Sequence, residues 1–175
     1  GAVTMKKEYL TYLAPLITFL AFLLDGQLST LLINWLPGSI LVSSHILLMI
    51  AIFLSFQLSI VYSVSLFTVM GLLYDLYYFG VLGVAVTLLP LAVYLIYYFY
   101  QNLSFKTITN HIILVVILFV FKFFAFLLAR LFSLTNLSMF IFVFNDLLPT
   151  LVFNSILLLL LQPLLKPLFG ITNKT

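Results

Sequence analysis

Three ionisable residues, Asp75, Lys122 and Asp146, stand in or at the ends of otherwise apolar stretches of this chain. A charge at membrane depth costs at least about 2.5–3.5 kcal/mol on insertion scales, so each of these groups needs a partner, water or a role. The chemistry open to them is narrow. An acid and a base can form a fixed ion pair that holds helices together, or they can relay protons or ions. A relay needs a chain of such groups, and only His45 could extend one here. A lysine stem can also snorkel toward the headgroups. His45 and His111 lie far apart with no metal-ligand spacing, and the chain has no cysteine. Disulfides, thiolate metal sites and thiol catalysis are therefore excluded. Nor is there a glycine-rich phosphate loop, a carboxylate pair at catalytic spacing or a nucleophile with its base. The residues predict no catalytic group, no cofactor and no metal.

The elements that must carry these residues are membrane helices. Of 175 residues, 65% are hydrophobic and 6% charged, against about a quarter charged in soluble domains. Stretches such as Ile112–Leu128 and Leu147–Leu165 approach the roughly 20 residues that cross a hydrocarbon core. The fold class is an all-α integral membrane protein, with six transmembrane helices in a single domain over residues 5–175. Gly1–Thr4 precede Met5 and read as the remnant of a cleaved tag. Expected spans run over about Tyr9–Leu24, Ile40–Phe56, Ile60–Tyr74, Val84–Tyr100, His111–Phe132 and Met139 to Pro163–Pro167. The last is a candidate for a break at Pro149. Asp25–Ser39 reads as a mixed segment whose Leu31, Leu32 and Trp35 form a short interfacial helix.

Charge sets the expected orientation. With six spans both termini share a side, and a cytoplasmic placement puts Lys6, Lys7, Lys106, Lys166 and Lys174 inside, as the positive-inside bias requires. Tyr9, Tyr12, Tyr94, Tyr97, Tyr98 and Tyr100 then form an aromatic belt at the inner headgroups. The same topology sends helix 5 outward and helix 6 back. Lys122 lies roughly 13 Å and Asp146 roughly 10 Å below the outer interface at 1.5 Å per residue. At matched depth on neighbouring helices, they are a candidate buried ion pair.

The sharpest local pattern is Gly71-Leu72-Leu73-Tyr74-Asp75, followed by Gly80 and Gly83. A glycine inside an apolar helix permits close helix approach. Asp75 is placed to cap the first free amides of helix 4, and the glycines suit a tight turn. Ser63 and Gly71 share a stripe on helix 3. With Asp75, Gly80 and Gly83 they are candidates for helix contact within the chain or for docking a partner helix.

These residues, in this order and spacing, resemble the rod-shape-determining MreD family. That family carries a G-L-L-x-D pattern followed by a glycine turn and a helix, here Gly71, Leu72, Leu73, Asp75, Gly80 and Gly83. A late asparagine and a Pro-Leu pair also match, at Asn154 and Pro163-Leu164. The resemblance covers the chain from Met5. It implies a non-enzymatic component of the bacterial cell (cytoplasmic) membrane that belongs to the elongasome and helps control cell shape and lateral peptidoglycan synthesis. The implied partner is MreC, with RodA, a class B penicillin-binding protein and MreB reached through it. Lipid surrounds the protein, a homodimer is open, and nucleic acid is not expected. The implied fold resembles the six-helix substrate-binding subunit of energy-coupling-factor vitamin transporters. Such a subunit is the alternative function. It would dock through an Ala-x-x-x-Ala pattern in helix 1, whereas Ala14 and Ala21 here are seven apart. A lipid-modifying enzyme is a third class, which would need a catalytic constellation.

Overall fold

The computed structural model describes residues 7–170, all-helical apart from their connections. The reading of Gly1–Thr4 as a tag remnant, and Lys6 and Lys174, lie outside these residues. Six helices form the bundle: α1 (Lys7–Trp35), α2 (Ile46–Gln57), α3 (Ile60–Phe79), α4 (Ala85–Tyr100), α5 (Thr107–Leu131) and α6 (Met139–Leu168). Four of them, α1, α3, α5 and α6, are long and apolar enough to cross a membrane. α2 and α4 are shorter, with 12 and 16 residues. At 1.5 Å per residue α2 spans only about 18 Å. It compensates by position, since every residue from Ile46 to Leu54 is buried. α2 is the central helix, and it touches all five others.

The largest departure from the sequence reading concerns Asp25–Ser39. No separate interfacial helix forms there. α1 continues without a break through Asp25 and Gly26 to Trp35. The irregular backbone lies later, over residues 36–45, so α2 begins at Ile46 rather than near Ile40. The helix survives Gly26 because tertiary packing supplies the reason for the missing side chain. A Cβ at Gly26 would collide with the Tyr78 hydroxyl of α3.

Two helices contain a wide π-type turn: Asp75–Phe79 at the end of α3 and Val143–Leu147 within α6. The first is closed by Gly80 in the left-handed conformation (φ 69°), whose amide donates to Asp75 O at 2.7 Å. The second lies just before Pro149. A proline gives no amide to the carbonyl four residues earlier and crowds it, so Asn145 O is free of its helical donor. Leu41 N of the 36–45 segment donates to it at 2.8 Å. Pro15 in α1 has the same effect on Thr11 O, which accepts from the Tyr62 hydroxyl of α3 at 2.5 Å. Pro15 and Pro149 thus each turn a helix carbonyl into a tertiary contact.

α3 and α4 pack as a close hairpin. Gly71 allows it, because a Cβ there would stand 2.5 Å from Ala85 O and 2.7 Å from Val86 Cα. Ser63, 1% exposed, faces the same way, with its hydroxyl 2.6 Å from that of Tyr97. Tyr97 and Tyr100 are also turned inward: Tyr97 donates to Leu58 O and Tyr100 to Asn110 Oδ1. The exposed tyrosines at this end of α1 and α4 are Tyr9, Tyr12, Tyr94 and Tyr98. The aromatic belt is therefore narrower than the sequence suggests.

Candidate functional site

The polar side chains of the bundle gather around the irregular segment 36–45. Backbone without helical bonds is tolerated at membrane depth only where protein or a water-filled cavity satisfies it. Here side chains satisfy the last three amides of the segment. Ser43 N donates to Thr150 Oγ1 (3.3 Å), Ser44 N to Ser29 Oγ (2.9 Å) and His45 N to Asn154 Oδ1 (2.8 Å). Asn154 Nδ2 returns a bond to Ser43 O at 2.8 Å. Asp25 completes the set. Its Oδ1 accepts from Ile46 N (2.7 Å) and the Ser44 hydroxyl (2.8 Å), and its Oδ2 from Leu47 N (2.9 Å). A carboxylate on α1 thus holds the first free amides of α2, where an anion is favoured by both hydrogen bonding and the helix dipole.

Asp75 does the same for α4. Its Oδ1 accepts from Ala85 N at 2.7 Å, and its Oδ2 from Gly83 N and Val86 N, both at 3.0 Å. The residue is fully buried. The turn over Gly80–Val84 brings these amides onto one carboxylate, and the positive φ of Gly80 and Gly83 (69° and 121°) makes that turn. At such angles a side chain would be strained. Two carboxylates in apolar surroundings therefore serve as caps for helices other than their own.

The structure places Lys122 Nζ 2.8 Å from Asp146 Oδ1. The pair is partly open rather than fully buried, with the two side chains 15% and 16% exposed. Lys122 also donates to Ser43 Oγ (3.3 Å), and Thr150 Oγ1 donates to Asp146 Oδ1 (3.2 Å). The pair therefore ties α5 and the π-turn of α6 to the 36–45 segment, beyond the two-helix contact expected from depth alone. Ser43 Oγ lies 2.9 Å from His45 Nε2, and the His45 ring meets Phe121 edge-on at 5.7 Å.

This network forms the polar wall of a cavity of about 270 Å³. α1 contributes Asp25 and Ser29, the irregular segment Ser43 and His45, and the end of α3 Tyr74, Tyr78 and Phe79. α5 contributes Phe121, Lys122, Ala125, Phe126 and Ala129, and α6 Phe142 and Asp146. Thr135 and Leu137 of the α5–α6 connection complete the lining.

A second polar layer lies at the opposite end. Asn110 Nδ2 donates to Gln162 Oε1 at 2.7 Å, Gln162 Nε2 lies 3.3 Å from His111 Nδ1, and Lys166 donates to the Thr107 hydroxyl. Lys106, which precedes α5, and Lys166, in the last turn of α6, share this end, away from Arg130. The His111 Nε2 is buried without a hydrogen-bond partner among the described residues.

The sequence-predicted residues divide accordingly. Ser63, Gly71, Asp75, Gly80 and Gly83 all serve the α3–α4 hairpin. Lys122, Asp146 and Asn154 meet at the 36–45 segment. Pro163 is exposed on α6. Sequence reasoning missed Asp25, Ser29, Ser43, Ser44, Thr150 and Tyr74. Asp25 carried a usable signal, an acid on an apolar helix, but assigning it to a helix end hid its depth. Among the described residues no three histidine, cysteine or acidic groups come together to hold a metal.

Two comparisons with known proteins agree. Residues 7–171 match the family of the rod shape-determining protein MreD. The chain is 31% identical over 133 residues to the cell shape-determining protein MreD of Streptococcus pneumoniae, covering 75% of this chain and 80% of that one. No solved structure matches at a significant level, so likeness to the vitamin-transporter subunit rests on family resemblance alone. With an all-helical bundle, four helices of crossing length and a match along nearly its whole length, the chain belongs to the rod shape-determining MreD family.

Proposed function

We propose that this protein is a non-enzymatic membrane scaffold of the wall-elongation machinery, one that holds the membrane helix of MreC and so takes part in setting cell shape. The family match supports a role in cell shape. The observation that carries the scaffold reading is the use made of the carboxylates. Asp25 and Asp75 are both engaged in holding helix starts, and Asp146 is paired with Lys122. Acids bound in this way rigidify a platform. The outer faces carry large apolar side chains, including Leu16, Phe19, Leu20 and Leu23 on α1, and in lipid helices associate through close packing rather than the hydrophobic effect. The bacterial cell membrane is the proposed location, with both termini cytoplasmic. The shared end of Lys106 and Lys166 supports that orientation.

The transporter-subunit alternative needs a small-residue face on helix 1 free for a coupling partner. Ala14 and Ala21 are instead buried in the bundle, 0% and 3% exposed. Affinity purification in mild detergent separates the readings. MreC together with wall synthases is the expected recovery; a pair of ATPases with a coupling subunit would overturn the scaffold assignment.

A further inference from the structure

Three breaks in regular helix converge on the cavity beside Lys122. The π-turn of α3 supplies Tyr78 and Phe79, the π-turn of α6 supplies Asp146, and the irregular segment supplies Ser43 and His45. Single π-turns inside helices occur frequently at functional sites, and irregular backbone at membrane depth lines cavities. The scaffold reading uses none of this space.

The polar atoms facing it are specific. An ammonium has three donors, and Lys122 uses two, on Asp146 and Ser43. Asp146 Oδ1 accepts from Lys122 and Thr150, while among the described residues no group other than Lys122 reaches its Oδ2. The Tyr74 hydroxyl, also on the cavity wall, has no hydrogen-bond partner among the described residues. An ammonium, a carboxylate and a hydroxyl thus share this cavity wall. The charges of Lys122 and Asp146 already neutralise each other at 2.8 Å, and the oxygens of Asp25 are engaged by three donors. An anion would meet Asp146 and a cation would meet Lys122, in surroundings where an uncompensated ion is costly. A neutral group that both donates and accepts can hydrogen-bond to both members of the pair without opening it. The apolar wall includes Phe121, Phe126 and Phe142, the last two stacked at 4.1 Å. A volume of about 270 Å³ lies just under the usual small-molecule range of about 300–1,000 Å³. It suits a compact molecule, or the head and first carbons of a longer one.

We propose that this cavity binds an uncharged amphiphile with a hydroxyl head, which sits between Lys122, Asp146 and Tyr74 while its apolar body lies against Phe121, Phe126 and Phe142. Such a head can belong to a free alcohol or to a neutral lipid of the diacylglycerol type. The site is independent of the MreC reading, because ligand occupancy and co-purification are separate measurements and either can fail alone.

The test is photolabelling of the full chain in lipid nanodiscs with a diazirine-bearing octanol, followed by peptide mapping. Adducts are expected on Phe121–Ala129 and Phe142–Asp146, displaced by 1-octanol or by dioleoylglycerol and not by octanoate or octylammonium. Displacement by octanol alone identifies a free alcohol as the source; displacement by dioleoylglycerol identifies the lipid. Tyr74→Phe should weaken the competitor by about three- to ten-fold, the loss of one hydrogen bond. Ala129→Leu, which fills the cavity, should abolish labelling, with Ala125→Val as a second filling variant should the first unfold. Adducts spread over lipid-facing positions such as Leu16 and Leu20, unchanged in a folded filling variant, would overturn the proposal. So would displacement by the charged octyl compounds as effective as that by octanol.

Discussion

At the residue scale, the ionisable groups in this bundle are structural ties, and their removal should read as lost stability. Asp75 satisfies three buried amides with two oxygens. Asp75→Ala leaves those amides without an acceptor and should cost about 3 kcal/mol, since bonds to a charged group are the strong ones. Asp75→Asn keeps one acceptor and should fall between wild type and alanine in thermal unfolding in detergent. The Lys122–Asp146 pair makes a different prediction. Lys122→Met strands a partly buried carboxylate and should destabilise by about 1–3 kcal/mol, less than a fully buried pair would because water reaches the site. Lys122→Met combined with Asp146→Leu should recover most of that loss, because replacing both charges removes the unpaired one. A double variant no more stable than the single one would show that the charges do more than tie helices together.

At the element scale, the informative feature is how helices make use of their irregularities. Pro15 and Pro149 each release a carbonyl, and another element binds each one. Asp25 of α1 and Asp75 of α3 each cap the helix that follows their own. Successive elements are thus stapled at their starts, which helps the short α2 stay in place. The α3–α4 hairpin depends on Gly71. Gly71→Leu places side-chain atoms where Ala85 O and Val86 Cα already stand, so α4 must shift. Overpacking of this kind typically costs about 1–3 kcal/mol. The variant should melt earlier than wild type and lose the Asp75 cap, detectable as faster amide exchange at Ala85 and Val86. Wild-type exchange at those amides would show that the hairpin tolerates the added volume.

At the scale of the whole molecule, the bundle is polar at two levels and apolar between them. One level surrounds the 36–45 segment and the cavity; the other joins Asn110, His111 and Gln162. The outer surface carries large apolar side chains throughout. Orientation is directly measurable, because the chain has no cysteine to interfere. In intact cells, Lys106→Cys should resist a membrane-impermeant maleimide and Asn136→Cys should react with it. The opposite pattern would invert the proposed topology and place the cavity level toward the cytoplasm.

The hydrophobic pattern by itself determined that the chain is helical and membrane-embedded, because runs of apolar residues with few charges have no other stable solvent. It also located the α3–α4 turn closely, since Asp75, Gly80 and Gly83 act on neighbours less than a dozen residues away. Depth arithmetic brought Lys122 near Asp146 because two helices joined by a short connection must run side by side. What sequence could not supply was any contact between distant elements at an irregular backbone. Asp25 reads as a helix end until α2 is seen to start on it, and Gly26 reads as a breaker until Tyr78 is seen to occupy its side-chain space. Asn154 and Thr150 look like ordinary polar residues of an apolar helix until the 36–45 segment lies across them. Tertiary structure alone decided these roles, because an amide in a low-dielectric interior takes whichever acceptor the packing brings within reach, however far away in the chain.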